Sequence, residues 1–451
     1  MVSIDHIRPV GPRTLAARAQ AASALSGALR GAVAAGSVRR VVCLVPDPHA
    51  RFAAVELSAE YFVDTALTSG YGMCAYVFGW NPARQAVNAS AVDQFLGGYG
   101  DLRIRPDLAT LTPDGPDTWL VVCDVEWPDG RSVPEAPRTT LREQVVMAEK
   151  LGLVPSVGIE HEVTFTSPDG VPLTSGGLDY AVGGLSPMSG LLGDVRTALD
   201  GLKLGVESAR GECHPGQFEI VQRHRDALAA CDDAMLHQLV IRRVAAEHGV
   251  RAGYLAAESS GAGGSCHVHL SLSDPSGVSL VAGARPEQMS TLFGHFLAGV
   301  LRAAPDLTAF WAPTWNSYVR LRTSPFSPRS LRWGSDDRTA AVRLAGRGPS
   351  LRMEARFAGA DAQVHTVVAA LIAAGLSGVE ERLDPPAENK LVGDLARTPW
   401  EALQRLSGSK LAVALLGQAV VDHRVAMMAE ELDAGLEATN SWHRERGDLR
   451  A

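Results

Sequence analysis

The chain has 451 residues, 42 Lys+Arg against 50 Asp+Glu for a formal charge of −8, and a hydrophobic fraction of 46%. That combination suits two or three folded domains and excludes a disordered chain. An acidic balance without a basic block argues against nucleic acid or an anionic membrane as the main partner, since both need clustered Lys and Arg.

Residues 14 to 35 are rich in Ala, Leu and Arg at helical spacing, and Val38 to Val45 then reads as a β-branched buried strand. Short strands are expected at Phe52–Leu57, Ala75–Phe78 and Trp119–Val125, followed by a Pro128-Asp129-Gly130 turn. Together they make a small α+β unit. The run Val133-Pro134-Glu135-Ala136-Pro137 reads as a linker, so the expected divisions are a helical segment 1–35, a small domain 36–134 and a large domain 135–451.

Arg142 to Leu151 reads as an amphipathic helix, and Ala229–Glu247 and His365–Glu380 as longer ones. The last is apolar almost all round, which places it deep in the core or in a subunit interface. Val154–Thr166 and Cys266–Leu272 alternate apolar and polar residues, as a strand does when one face is buried and the other lines a cavity. No internal repeat is present. The longest apolar runs, such as Val367–Leu376, fall short of the roughly 20 residues of a bilayer span. The first 18 residues lack the apolar core of a secretory signal, so the expected location is the cytoplasm, with no membrane partner.

The six cysteines lack CxxC spacing, which argues against a disulfide framework or a structural zinc site. Cys213 and Cys266 lie inside the motifs below and are read as pocket wall rather than nucleophiles.

In Gly158-Ile159-Glu160-His161-Glu162-Val163, the two carboxylates are two apart on a strand and so share a face. Glu212-Cys213-His214-Pro215-Gly216-Gln217-Phe218-Glu219 adds two acids around a Pro-Gly turn, and His267-Val268-His269 two imidazoles on one face. Taken singly, a solvated strand edge, an ordinary turn or a satisfied core histidine would account for each motif. Jointly, carboxylates with imidazole and no thiolate pair form a donor set for Mg²⁺ or Mn²⁺.

In these motifs and their order the sequence resembles the glutamine synthetase family, from about residue 36 to the C-terminus. Glu160-His161-Glu162 is similar to its E-x-E strand, Glu212 to Glu219 to its E-V-x-P-G-Q-x-E segment, and Gly264 to Leu272 to its G-S-G-M-H-x-H-x-S-L strand. Asn316-Ser317-Tyr318-Val319-Arg320-Leu321, Asp337-Arg338-Thr339-Ala340-Ala341-Val342-Arg343 and Arg352-Met353-Glu354-Ala355-Arg356-Phe357 continue the series. The resemblance implies an α+β fold: a small β-grasp-like N-terminal domain, and a large catalytic domain whose curved antiparallel sheet is flanked by helices. It also implies a homo-oligomer of stacked hexameric rings with sites between subunits.

Carried over residue by residue, Glu162, Glu212 and Glu219 would hold one divalent metal and Glu160, His267 and Glu354 another, two or three Mg²⁺ or Mn²⁺ in all. ATP would activate a γ-carboxylate to an acyl phosphate that an amine displaces. Arg338 and Arg343 would stabilise the transferring phosphate; Arg320 and Arg356, with Gly263, would hold glutamate or a related acid. His269 matches a residue near the ATP phosphates and Ser271 one near the nucleotide.

The sequence also departs from the family. Phe326 stands where ammonium-using members carry a flap Glu, and no D-G-S-S segment is recognisable around Leu67–Gly72. A phenyl ring suits the carbon chain of a larger amine and its cationic form better than ammonium. The run Arg329-Ser330-Leu331-Arg332-Trp333-Gly334 is similar to γ-glutamyl-amine ligases, and Phe326, Trp333 and Tyr180 would size the amine pocket. Ala262 and Ala257-Glu258 replace an Asn and a Lys-Pro pair near the acid substrate, and Ala396 excludes an adenylylated tyrosine at its position. The expected function is an ATP-dependent ligase joining glutamate to an organic amine. The other readings are a ligase for a different carboxylic acid, a glutamine synthetase using ammonium, and a non-catalytic nucleotide-binding regulator.

Overall fold

The computed structural model describes residues 14–175, 179–283, 288–328 and 330–450. Thr14 opens the first helix, Leu15–Ala34, by accepting the Ala17 N–H on its hydroxyl. Leu25 and Leu29 of that helix bury against a sheet ordered Phe52–Ser58, Arg40–Pro46, Thr118–Glu126, Asp101–Pro106, Tyr71–Cys74. Arg40–Pro46 pairs antiparallel with Phe52–Ser58 and parallel with Thr118–Glu126. Alternation then divides the side chains: Val41, Cys43, Trp119 and Val121 face this small core. Leu44, Leu120 and Val122 face a second core shared with Phe165 and Phe218 of the larger sheet. Ala75–Phe78 is a 3₁₀ turn rather than a strand, and the strand is Tyr71–Cys74. Four apolar residues carry too little periodicity to separate the two.

The segment 133–137 is packed: Val133, Glu135 and Ala136 are buried, and Pro137 takes the first turn of the helix Pro137–Lys150, which starts earlier than its amphipathic pattern implied. Beside it lies a buried ion network. Arg138 donates from Nε and Nη2 to the two Asp232 oxygens at 2.9 Å, from Nη2 to Asp107 at 2.7 Å, and from Nη1 to Asp124. Arg18 of the first helix donates to Asp107 at 2.8 Å and to Asp232 at 3.0 Å, and His365 Nε2 lies 3.1 Å from Asp232.

The large sheet is ordered Trp333–Ser335, Val342–Ala345, Arg352–Ala355, Cys266–Ser273, Val154–Thr166, Gln217–Gln222, Val206–Gly211. Its pairings are antiparallel except the edge pair Trp333–Ser335 with Val342–Ala345, which is parallel. Val157, Ile159, Cys266, Val268 and Leu270 point to the core, where the helices Ala227–Glu247, Thr291–Ala303 and Val364–Glu381 cover them. Val364–Glu381 is long and apolar enough to cross a membrane, but it is buried inside the core over most of its length. It crosses Thr291–Ala303 at Gly378 and Gly299, where a Cβ on either would fall 2.1 Å from the other helix's backbone.

Candidate active site

Register on the open face of this sheet decides the site. Glu160 stands opposite His267 and Glu162 opposite Glu219, while Glu354 stands opposite both His269 and Arg343. Like charges directly across a ladder repel, so a Glu162–Glu219 pair persists only with positive charge nearby. The strand residues and the loops above them enclose a cavity of about 460 Å³. Its wall includes Glu160, Glu162, Glu212, Glu219, His267 and Glu354, with Arg320, Arg338, Arg343, Arg356, His269, Gly263 and Phe326. Ser271 is one step further along the same strand face, half-buried and outside the lining residues. The other thirteen of these residues therefore meet in one place.

Donor atoms of Glu160, His267 and Glu354 lie within 4.8 Å of one another, as do those of Glu162, Glu219 and His267. Oxygens with one imidazole and no sulfur fit a hard divalent cation in both groups. Glu212 is placed differently from the expectation. It groups with Asp179 and Cys213, and its carboxylate accepts a 2.8 Å hydrogen bond from Arg210 Nε. Arg210 Nη2 is also 2.9 Å from Glu219, so one guanidinium stands between two acids, a single positive charge shared by both.

Charge crowding shows in the carboxyls. Burial, and then neighbouring Glu160, push Glu219 up to about 9 against the pull of Arg210. Burial raises Glu212 too, with Arg210 opposing. Burial also opposes ionisation of Glu160, but the neighbouring His267 and His269 imidazoles outweigh it and hold that carboxyl far below its ordinary range. Glu354 is likewise buried, yet His267 and Arg356 bring it down to about 2. A cluster in which one acid is driven to keep its proton while its neighbours ionise is short of positive charge, which is the condition a divalent cation relieves.

The arginines are held unequally. Arg320 is buried, and its fork donates to the Phe357 and Arg356 carbonyls at 2.9 and 3.0 Å; burial lowers it to about 10. Arg356 donates from Nη1 to Glu354, while its buried Nε has no hydrogen-bond partner. Arg343 donates to Glu354 at 2.8 Å and to Asp336. Arg338 lines the cavity beside them. A Cβ on Gly263 would fall 2.6 Å from Ser324 Oγ, so a glycine is what lets the loop carrying Phe326 close onto the sheet. Phe326 is 56% exposed on that loop.

Some expectations change. Trp333 is buried and donates its Nε1–H to the Pro386 carbonyl, so it packs the core rather than the amine pocket. Cys213 lines the cavity but Cys266 does not: strand alternation turns its thiol into the core, and burial raises it strongly. Tyr180 is exposed in the wall, with φ at 54° and Arg210 stacked 5.3 Å above its ring. Arg329 lies outside the described residues. Arg210, Asp179, Gln217 and Arg352 also line the cavity. Gln217 and Arg352 lay inside quoted motifs without a role, and Arg210 sits two residues before Glu212. Asp179 gave no local signal.

Residues 134–446 match the family model described as glutamine synthetase, catalytic domain. The chain is 36% identical over 437 residues to gamma-glutamylethanolamide synthetase of Streptomyces coelicolor, covering 93% of this chain and 94% of that protein. It is 32% identical to a glutamate–isopropylamine ligase of a Pseudomonas species, over 86% of this chain and 90% of that one. A solved structure titled as a GmaS/ADP complex superposes with a TM-score of 0.83 over 94% of this chain and 99% of its own, at 24% identity, a likeness of fold. With its motifs, its sheet and its catalytic-domain match in agreement, the chain belongs to the glutamine synthetase family.

Proposed function

We propose that this protein is an ATP-dependent ligase that joins the γ-carboxylate of glutamate to an organic amine through a γ-glutamyl phosphate. The observation that carries the reading is Phe326 in the wall of the cavity that also holds the acid and imidazole cluster and six arginines. It is supported by the two relatives above, which are named for amides of ethanolamine and isopropylamine.

In this reading Glu160, His267 and Glu354 hold one divalent cation, and Glu162, Glu219 and Glu212 the other. The cations supply positive charge to the phosphoryl oxygens during transfer. Arg338 and Arg343 approach the transferring phosphoryl group, for which a guanidinium fork is well shaped. Arg356, whose Nε has no partner, and Arg320 orient the acid substrate beside Gly263. His269 faces the ATP phosphates, and Ser271, further along the strand, the nucleotide. Phe326 offers apolar contact and cation–π attraction to the amine while excluding water from its side of the cavity. Residues 135–451 form the catalytic unit, with 36–134 and the helix before it packed alongside. The assembly is a homo-oligomer of stacked hexameric rings acting in the cytoplasm, and active monomer alone in sedimentation would overturn that assembly.

The test is ADP release with Mg²⁺- or Mn²⁺-ATP and glutamate across ammonium, ethanolamine, isopropylamine, putrescine and spermidine, with the product weighed by mass spectrometry. Turnover with an organic amine, little with ammonium and a γ-glutamyl amide of matching mass are expected. Preference for ammonium would overturn the assignment of Phe326, and bound ATP without ADP release would favour a regulator.

A further inference from the structure

Six carboxylates line the cavity: Glu160, Glu162, Asp179, Glu212, Glu219 and Glu354. Five belong to the set assigned above to cations, and Asp179 is the remaining one among the described residues. It is exposed, and its Oδ2 accepts a hydrogen bond from the Cys213 thiol at 3.3 Å. Tyr180, the next residue, presents a ring that is 64% exposed in the same wall. Its φ of 54° lies in the left-handed region that a tyrosine adopts only where its surroundings hold it there. Phe326, from the loop closing on Gly263, brings a second aromatic surface and no charge.

One carboxylate outside the two cation sets assigned above, close to Glu212 and sharing a wall with two exposed aromatic rings, suits a small cation carried on a short carbon chain: charge attracts the ammonium head and the rings cover the chain. We propose that Asp179 is the specificity-determining carboxylate of the amine site, drawing the protonated amine into the cavity against Tyr180 and Phe326. This rests on the ligase reading above. Asp179 acts here in binding and needs no proton transfer of its own.

The experiment compares Asp179→Asn and Asp179→Glu with the unsubstituted protein. Asp179→Asn is expected to raise KM for ethanolamine and isopropylamine by about 10-fold or more, the scale of a lost hydrogen bond to a charged group. KM for glutamate and ATP should hold, and Asp179→Glu should recover part of the loss. Hydroxylamine, a nucleophile that is uncharged near neutral pH, should show the same KM in all three proteins. Calorimetric Mn²⁺ binding should also be the same in all three. An unchanged amine KM, an equal loss with hydroxylamine, or weakened Mn²⁺ binding would each overturn the inference, the last by making Asp179 a cation ligand. Failure of the ligase reading is distinguishable: the unsubstituted protein would then form no amide with any amine, and both claims would fall together.

Discussion

Arg352 Nε donates a hydrogen bond to His269 Nδ1 at 3.0 Å, and His269 Nε2 lies 2.9 Å from Glu160 Oε1. With Nδ1 accepting, the ring proton is on Nε2 and faces the carboxylate, so Arg352 selects the tautomer that orients Glu160 toward the cluster. The Nε2 contact is short but off the line of an ideal hydrogen bond, so its orientation depends on the arginine behind it.

Arg352→Met is therefore expected to weaken Mn²⁺ binding by about 10- to 100-fold, the usual cost of losing an outer partner of a metal site. Calorimetric titration checks this. An affinity equal to that of the unsubstituted protein would disconnect His269 from the cluster.

Phe326→Glu returns a carboxylate to the loop above Gly263. The ratio of ammonium to isopropylamine turnover should rise by about 10-fold or more, since an apolar contact of this size discriminates by roughly 10–200-fold. Initial rates with both amines decide it, and a fixed ratio would mean that the ring does not touch the amine.

Glu162 and Glu219 are cross-strand partners, and Glu219 is driven up to about 9 by burial and by its acidic neighbours. Saturating Mn²⁺ should therefore raise the melting temperature. At 100 times Kd the gain is about 2.7 kcal/mol, and chelation should reverse it. Glu219→Gln relieves the repulsion and removes a ligand, so it should melt higher without metal and respond less to it. A scan in which both proteins respond alike would contradict the assignment.

Arg138 is 2% exposed and touches Asp232, Asp107 and Asp124. Arg138→Met leaves those acids buried without their main counter-charge, which typically costs about 3–5 kcal/mol. Burial opposes ionisation of Asp107 and Asp232, but Arg138 and Arg18 outweigh it and hold both far below the usual range. Their contribution is thus complete above the ordinary aspartate range and is lost as pH falls below it. Denaturant unfolding of the variant at neutral pH should show the loss, and a midpoint within error of the unsubstituted protein would refute it.

His423 is buried, and its Nε2 bonds to the Phe78 carbonyl at 2.7 Å, tying the helix Gln418–Glu437 to the N-terminal unit. Burial lowers the imidazole from 6.5 to about 4. Below 6.5 the unfolded chain takes up the proton first, so stability falls as pH drops toward 4, by about 3 kcal/mol at 1.36 kcal/mol per unit. His423→Gln keeps a donor for Phe78 and removes the titration, so its melting temperature should fall less over that interval. Parallel melting curves across pH would assign the acid sensitivity elsewhere.

Local periodicity and motif order determined much of this protein. The 13-residue strand Val154–Thr166 and the helix around Ala229–Glu247 were legible because alternation and helical spacing are properties of neighbours along the chain. The six acid and imidazole positions and four arginines were singled out by motif order, and the structure brings them into one cavity. Tertiary structure decided the rest. Whether Glu212 points to Glu219 or to Asp179 depends on where the Arg210 guanidinium falls, and whether Trp333 or Tyr180 faces the cavity depends on packing against Pro386 and on a left-handed backbone at residue 180. Asp179 is 17 residues after Glu162 and 33 before Glu212 in the chain, yet shares their cavity. No spacing rule announces that, because a cavity wall is assembled by strand register and loop closure, which act between segments far apart in sequence.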